Sequence, residues 1–167
     1  MKATLNGIKI EYQDGGHGPA VLLGHGYSAT GRMWDGQRAA LGDRWRVISW
    51  DMRGHGQTES PSDPAQYSAA LTVADMRALL GHCGVERAVI GGLSLGGYVS
   101  LAFYLAHPEM VRALVICDSG PGYRNAEARA AWASPWADAW WPIASRISRL
   151  RPASTSSPFD SSSLARS

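Results

Sequence analysis

RAVIGGLSLGGYVSLAFYLAHP, residues 87–108, decides how this chain is read. The apolar run at residues 88–90 predicts a short buried strand, and the sequence after Ser94 predicts a helix to about Ala106. Between them, Gly92-Leu93-Ser94-Leu95-Gly96 makes a G-x-S-x-G. A serine on so sharp a strand-to-helix turn is held in a strained backbone conformation, its hydroxyl clear of the sheet. The positions two residues away on either side must lack a Cβ, which would collide with the turn, and Gly92 and Gly96 meet that need. The helix N-terminus beneath offers unpaired N–H groups and a positive dipole end to charge developing beside Ser94. A glycine-rich turn with a serine is common in itself; the strand before it and the helix after it make this one a candidate nucleophile.

No Asp, Glu, Lys or Arg occurs from Ala88 to Pro108, a length that would also suit a membrane-spanning helix. Four glycines and two serines around its middle argue instead for a parallel-sheet strand followed by a buried helix.

The 167 residues are 45% hydrophobic, enough for one domain that buries about two-thirds of its unfolded surface. A net charge of +2, evenly spread, gives no reason to expect nucleic acid or an anionic membrane as partner. The N-terminus, MKATLNGIKIEYQDGG, has no hydrophobic h-region of a signal peptide. Cys83 and Cys117 stand in apolar segments without C-x-x-C or His spacing. They are expected to be buried free thiols in a reducing compartment, which places the protein in the cytoplasm, and no metal or cofactor is expected.

Residues 2–13 alternate as a strand pair turned at Asn6-Gly7. Residues 20–23 form a buried strand leading into Gly24-His25-Gly26-Tyr27, and residues 32–41 predict a helix with Met33, Trp34, Gln37, Ala40 and Leu41 on its inner face. Residues 47–50 form the next strand, ending in Asp51-Met52-Arg53-Gly54-His55-Gly56. Thr72 with Asp75 is expected to open the following helix as a capping box; Val73, Met76, Leu79, Leu80 and Cys83 form its stripe and Gly84 closes it. VRALVIC, residues 111–117, is a sixth strand ending at Asp118. The order is a hairpin and then β-α-β-α-β-α-β, an α/β fold with a mainly parallel sheet and helices on both faces. Ligands meet such sheets at the carboxyl ends of the strands, where His25, Asp51, Ser94 and Asp118 all fall.

Residues 133–167 differ in kind. All 19 glycines lie at or before Gly122, whereas the 35 residues from Ala133 hold 10 of the 18 serines, with four prolines and three tryptophans. A helix is expected to begin within residues 126–132; beyond it the composition predicts a disordered tail, or sequence that is truncated or out of frame. The domain boundary is set at residue 132.

Three motifs in this order, each at a strand end, resemble the N-terminal part of the α/β-hydrolase fold family. They are Gly24-His25-Gly26-Tyr27, the run from Asp51 through Gly54-His55-Gly56 to Ser60, and Gly92-Leu93-Ser94-Leu95-Gly96-Gly97. The resemblance covers about residues 1–132. It implies a serine hydrolase acting on a small-molecule ester or related substrate, with Ser94 as nucleophile and the N–H groups of Leu95 and Tyr27 as the oxyanion hole. Two preorganised donors aimed at one oxygen stabilise the tetrahedral intermediate, and losing one costs about a hundredfold or more in rate. It implies loop-supporting roles for His25, Gly26, Asp51, Arg53 and His55, and offers Asp118 as the acid partner.

In that family the acid and then the histidine follow the serine. Of the five histidines only His107 follows Ser94, at the far end of the helix that Ser94 begins, about 18 Å away. The fold is therefore expected to lack its C-terminal strands, to be weak or inactive as a catalyst, and to leave the sixth strand as an apolar edge open to self-association.

Two rival functions follow from the same residues. A non-catalytic binding or regulatory fragment on the same scaffold needs no base. A dinucleotide-binding oxidoreductase would use Gly24-His25-Gly26-Tyr27-Ser28-Ala29 as G-x-G-x-x-A and Asp51 as its ribose acceptor, but leaves the Ser94 turn unexplained. Esters, lactones and carbon–carbon or carbon–halogen bonds stay open as substrates, although a dehalogenase is expected to carry Asp where Ser94 stands.

Overall fold

Asn6 (φ 47°) and Gly7 (φ 80°) reverse the chain near its start, the pair of positive φ values that a two-residue hairpin demands. They join β1 (Lys2–Leu5) to β2 (Ile8–Gly15). The computed structural model describes residues 1–120. After the hairpin come β3 (Ala20–Gly24), α1 (Asp35–Leu41), β4 (Arg46–Trp50), α2 (Ala69–His82), β5 (Ala88–Leu93), α3 (Leu95–Ala106) and β6 (Val111–Cys117). Among the described residues they build one six-stranded sheet in the order β1-β2-β4-β3-β5-β6. β2 runs antiparallel to β4, and the strands from β4 to β6 are parallel. The alternation of strands and helices in the sequence is the one observed.

All five residues of β3 are buried, as a central parallel strand covered on both faces must be. On one face Leu22, Ile48 and Ile90 pack with Met76, Leu79 and Leu80 of α2 and Val99 and Phe103 of α3. On the other, Val21, Leu23 and Val47 pack with Trp34. Each such side chain contributes about 1.5–3 kcal/mol, so the two layers lock the strand ends in register and align the turns at one rim. α3 has 12 residues, and no helix of the described residues is long and apolar enough to cross a membrane.

Three local expectations are corrected. The helix at residues 32–41 is a 3-10 turn, Gly31–Trp34, running into the short α1, and only Gly31 and Trp34 are buried. Trp34 is anchored by its indole N–H, which donates to Gly24 O at 3.2 Å; the tighter turn swings Met33, Gln37 and Ala40 outward. The cap of α2 is Ser68, whose Oγ accepts the Leu71 N–H at 3.2 Å. Thr72 sits one turn inside, its hydroxyl donating back to Ser68 O, and Asp75 is occupied elsewhere. Finally, β5 continues through Gly91 and Gly92 to Leu93, because β3 and β6 both pair with it there.

Cys83 and Cys117 are free and half-buried, and burial pushes the Cys83 thiol up to about 11. On β6, Arg112, Ala113 and Val115 are exposed. The readings of residues 126–132 and of the tail from Ala133 lie outside the described residues.

Candidate active site

Ser94 stands between the last residue of β5 and the first of α3, at φ 49° and ψ −109°. A non-glycine residue held there costs on the order of 1–3 kcal/mol and persists only where its surroundings over-determine it. Here they do. The Ser94 N–H donates to Cys117 O at 2.9 Å, and its carbonyl accepts the Tyr98 N–H at 3.0 Å. The turn is also pressed against β3. A Cβ on Gly92 would lie 2.5 Å from the Gly96 carbonyl carbon, and one on Gly96 would overlap the Gly24 carbonyl. Three glycine backbones thus meet where side chains would have kept the segments apart. Ser94 itself is exposed.

That close approach brings the turn after β3 beside the elbow. Gly26 packs against Leu93, so Tyr27 follows directly along the rim, 67% exposed. As the first residue of α3, Leu95 carries an N–H that has no acceptor within its own helix. His25 is fully buried beneath. Its Nδ1–H donates to Gly26 O at 2.7 Å and its Nε2 accepts the Met52 N–H at 2.9 Å. Burial lowers its pKa, and the two bonds require the neutral ring. The ring therefore pins two loops together.

The loop after β4 is fixed by side chains. Asp51 is buried; its Oδ1 accepts the Gly31 N–H at 2.7 Å and its Oδ2 the Gln57 N–H at 2.8 Å. Arg53 donates through Nε and Nη2 to both Asp75 carboxylate oxygens at 3.0 and 2.9 Å, and through Nη1 to Gln66 Oε1 at 3.2 Å. Asp75 also accepts from Asn6 Nδ2 at 2.9 Å, tying the hairpin turn to α2. This network was not legible in the sequence; Asp75 carried only the capping pattern. The His55 ring packs between His25 (tilted, centroids 4.9 Å apart) and Tyr27 (edge-on, 5.8 Å). A cleft of about 380 Å³ opens between residues 27–30, residues 53–56 and Tyr67; Ser94 does not line it.

Asp118 follows Cys117, whose carbonyl accepts the Ser94 N–H, and is exposed at φ 45°. The sequence-predicted residues Ser94, Leu95, Tyr27, His25, Gly26, Gly92, Gly96, Asp51 and Asp118 thus gather at the carboxyl ends of β3 to β6. The histidines do not join them as a base. His82 Nε2 lies 3.1 Å from the Tyr12 hydroxyl. His107 ends α3, packed on Phe103 and 3.7 Å from Glu109. Among the described residues, no histidine is a hydrogen-bond partner of Ser94. Asp51 is buried and holds the loop by main-chain N–H groups on both oxygens, instead of facing outward as a ribose acceptor would.

A sequence model of the alpha/beta hydrolase fold matches residues 19–151, running past the boundary drawn at 132. An uncharacterised protein of Mycobacterium tuberculosis is 38% identical over 117 residues, 70% of this chain and 34% of that one. Epoxide hydrolase 3 of Siraitia grosvenorii is 36% identical over 111 residues, 66% of this chain and 35% of its own. Among solved structures, a thermophilic esterase from Thermogutta terrifontis superposes with a TM-score of 0.70 at 32% identity, over 78% of this chain and 49% of that one. The chain spans about a third of the length of the curated relatives it matches.

Proposed function

Since the chain belongs to the α/β hydrolase fold family, we propose that it carries a serine-hydrolase site whose nucleophile is Ser94 Oγ and whose substrates are small esters. The observation that carries the reading is the Ser94 backbone at φ 49° and ψ −109°, at the junction of β5 and α3. A serine in that conformation carries its hydroxyl clear of the sheet, and on this reading the main chain of Leu95 and Tyr27 lies beside it. In the reaction, Oγ bonds to the acyl carbon and the carbonyl oxygen becomes negative, taking the N–H groups of Leu95 and Tyr27 as donors. The bond to the leaving oxygen then breaks, with the serine proton passing to that oxygen. Water next attacks the acyl-serine ester and frees Ser94.

Relatives are named both epoxide hydrolase and esterase, and elementary chemistry separates the two for a serine. Attack on an acyl carbon leaves an ester, which water cleaves. Attack on an epoxide carbon leaves an ether, which it does not. Ser94 therefore favours the ester. On this reading Asp118, one residue beyond the strand that holds the Ser94 N–H, is the acid partner.

With no histidine bonded to Ser94 among the described residues, the reading expects turnover at the level that an oxyanion hole and binding supply alone, about 10³–10⁴ over water. That same missing partner favours the second reading, a scaffold that binds without turning over. Hydrolysis of p-nitrophenyl butyrate and of styrene oxide by the chain and by Ser94→Ala decides. Slow ester cleavage lost in Ser94→Ala, with the epoxide untouched, is expected. Ester cleavage that survives in Ser94→Ala, or is absent from the folded chain, overturns the catalytic reading.

A further inference from the structure

Ser119 has no part in the acyl chemistry above, yet its hydroxyl donates to the Ser94 carbonyl at 2.7 Å. On the other side of the same residue, the Ser94 N–H donates to Cys117 O at 2.9 Å. Both polar main-chain groups of Ser94 are thus gripped by one three-residue run at the exit of β6. Asp118, at φ 45°, turns the chain between the two grips. Ser119 is also seated on the first turn of α3: a Cβ on Gly97 would come within 2.7 Å of the Ser119 Cβ.

A strained residue relaxes in whatever direction its restraints allow. The Cys117 bond fixes the Ser94 nitrogen and the Tyr98 N–H pulls its carbonyl along the helix axis. Among the described residues, only the Ser119 hydroxyl holds that carbonyl toward β6. We propose that Ser119 is a positioning residue: its hydroxyl clamps the Ser94 carbonyl and so sets the direction in which Ser94 Oγ leaves the elbow. The proposal rests on the reading of Ser94 as nucleophile. It also explains why a non-glycine residue at Asp118 adopts the left-handed conformation, since an extended path there would carry Ser119 away.

Ser119→Ala is a mild change. The carbonyl keeps the Tyr98 N–H, so no buried acceptor is left unpaired, and the fold is expected to survive. Wild type, Ser94→Ala, Ser119→Ala and Ser119→Thr are compared by two readouts. The first is hydrogen exchange at the Ser94 and Tyr98 amides, with the β3 amides as control. The second is the rate of phosphonylation by a fluorophosphonate, in which the Oγ–P bond forms as P–F breaks and fluoride leaves with the hydroxyl proton. Ser119→Ala is expected to speed the exchange and slow the phosphonylation, each by about three- to tenfold, the scale of one neutral hydrogen bond. The β3 amides are expected to stay unchanged, and Ser119→Thr, which keeps the hydroxyl, to restore both values.

Exchange in Ser119→Ala equal to wild type overturns the clamp whatever the labelling shows. Faster exchange with an unaltered phosphonylation rate overturns the positioning role. Faster exchange in a chain whose wild type takes up no phosphonate upholds the clamp and overturns the nucleophile reading instead.

Discussion

Two walls of the same rim are built on opposite physical terms. The elbow at Ser94 is a shape held by backbones in contact: Gly24, Gly92 and Gly96 interlock, and no charge is involved. The loop after β4, a strand separated from β5 by β3, is held by buried polar side chains, Asp51, His25 and the Arg53–Asp75 pair. The elbow tolerates no added atom, whereas the loop tolerates no unpaired one. A wall of the first kind has no compensating substitution; one of the second kind does.

The largest effect is expected on the charged wall. Asp75→Ala leaves Arg53, whose side chain is 2% exposed, buried without its carboxylate, and should cost about 3–5 kcal/mol by urea unfolding. Removing both partners, as Arg53→Met with Asp75→Leu, should recover most of that loss, because apolar packing replaces an ion pair at little net cost. A double variant as unstable as the single one would erase the distinction between the walls.

On the other wall, Gly96→Ala forces a methyl group into the Gly24 carbonyl and should cost about 3 kcal/mol, at the upper end of overpacking. Here no second substitution is expected to rescue it. The same unfolding measurement checks this, and a loss below about 1 kcal/mol would mean that the elbow yields more readily than its contacts imply.

The smallest effect is a dependence on pH. His25 is neutral in the fold and its pKa is lowered from 6.5 by burial. The unfolded chain therefore binds the proton first as pH falls below 6.5, while the native state does not. The stability that the neutral ring contributes is complete above that value and declines below it, until pH reaches the lowered native pKa. The slope from this one ring is at most about 1.4 kcal/mol per pH unit. Urea midpoints from pH 7.5 to 5 should show it, and His25→Asn should flatten it.

The sequence made the elbow wall readable because sterics are local. Gly92, Ser94 and Gly96 announce a turn by spacing alone, and the strands around it announce themselves by unbroken apolar runs. On the charged wall, the motif resemblance already implied loop-supporting roles for His25, Asp51 and Arg53, but the Asp75 partnership stayed hidden because its members are remote in the chain: Asn6 bonds to Asp75 across 69 positions and Arg53 across 22. Asp75 read locally is a helix-capping residue, and only the fold reveals that it lies one turn too deep to cap. Ser119 was hidden for the same reason, since a lone serine after a strand carries no pattern. The helix at residues 32–41 misled because an apolar stripe does not distinguish a 3-10 turn from an α-helix, and the tighter turn faced most of that stripe outward.

The account turns on one hydroxyl raised at the junction of β5 and α3 and met by main-chain donors. Intact-mass measurement after exposure to a fluorophosphonate tests it most directly. The account predicts one phosphonyl group per chain, mapped to Ser94 and absent from Ser94→Ala. A folded chain that gains no mass, or gains it equally without the Ser94 hydroxyl, would contradict it.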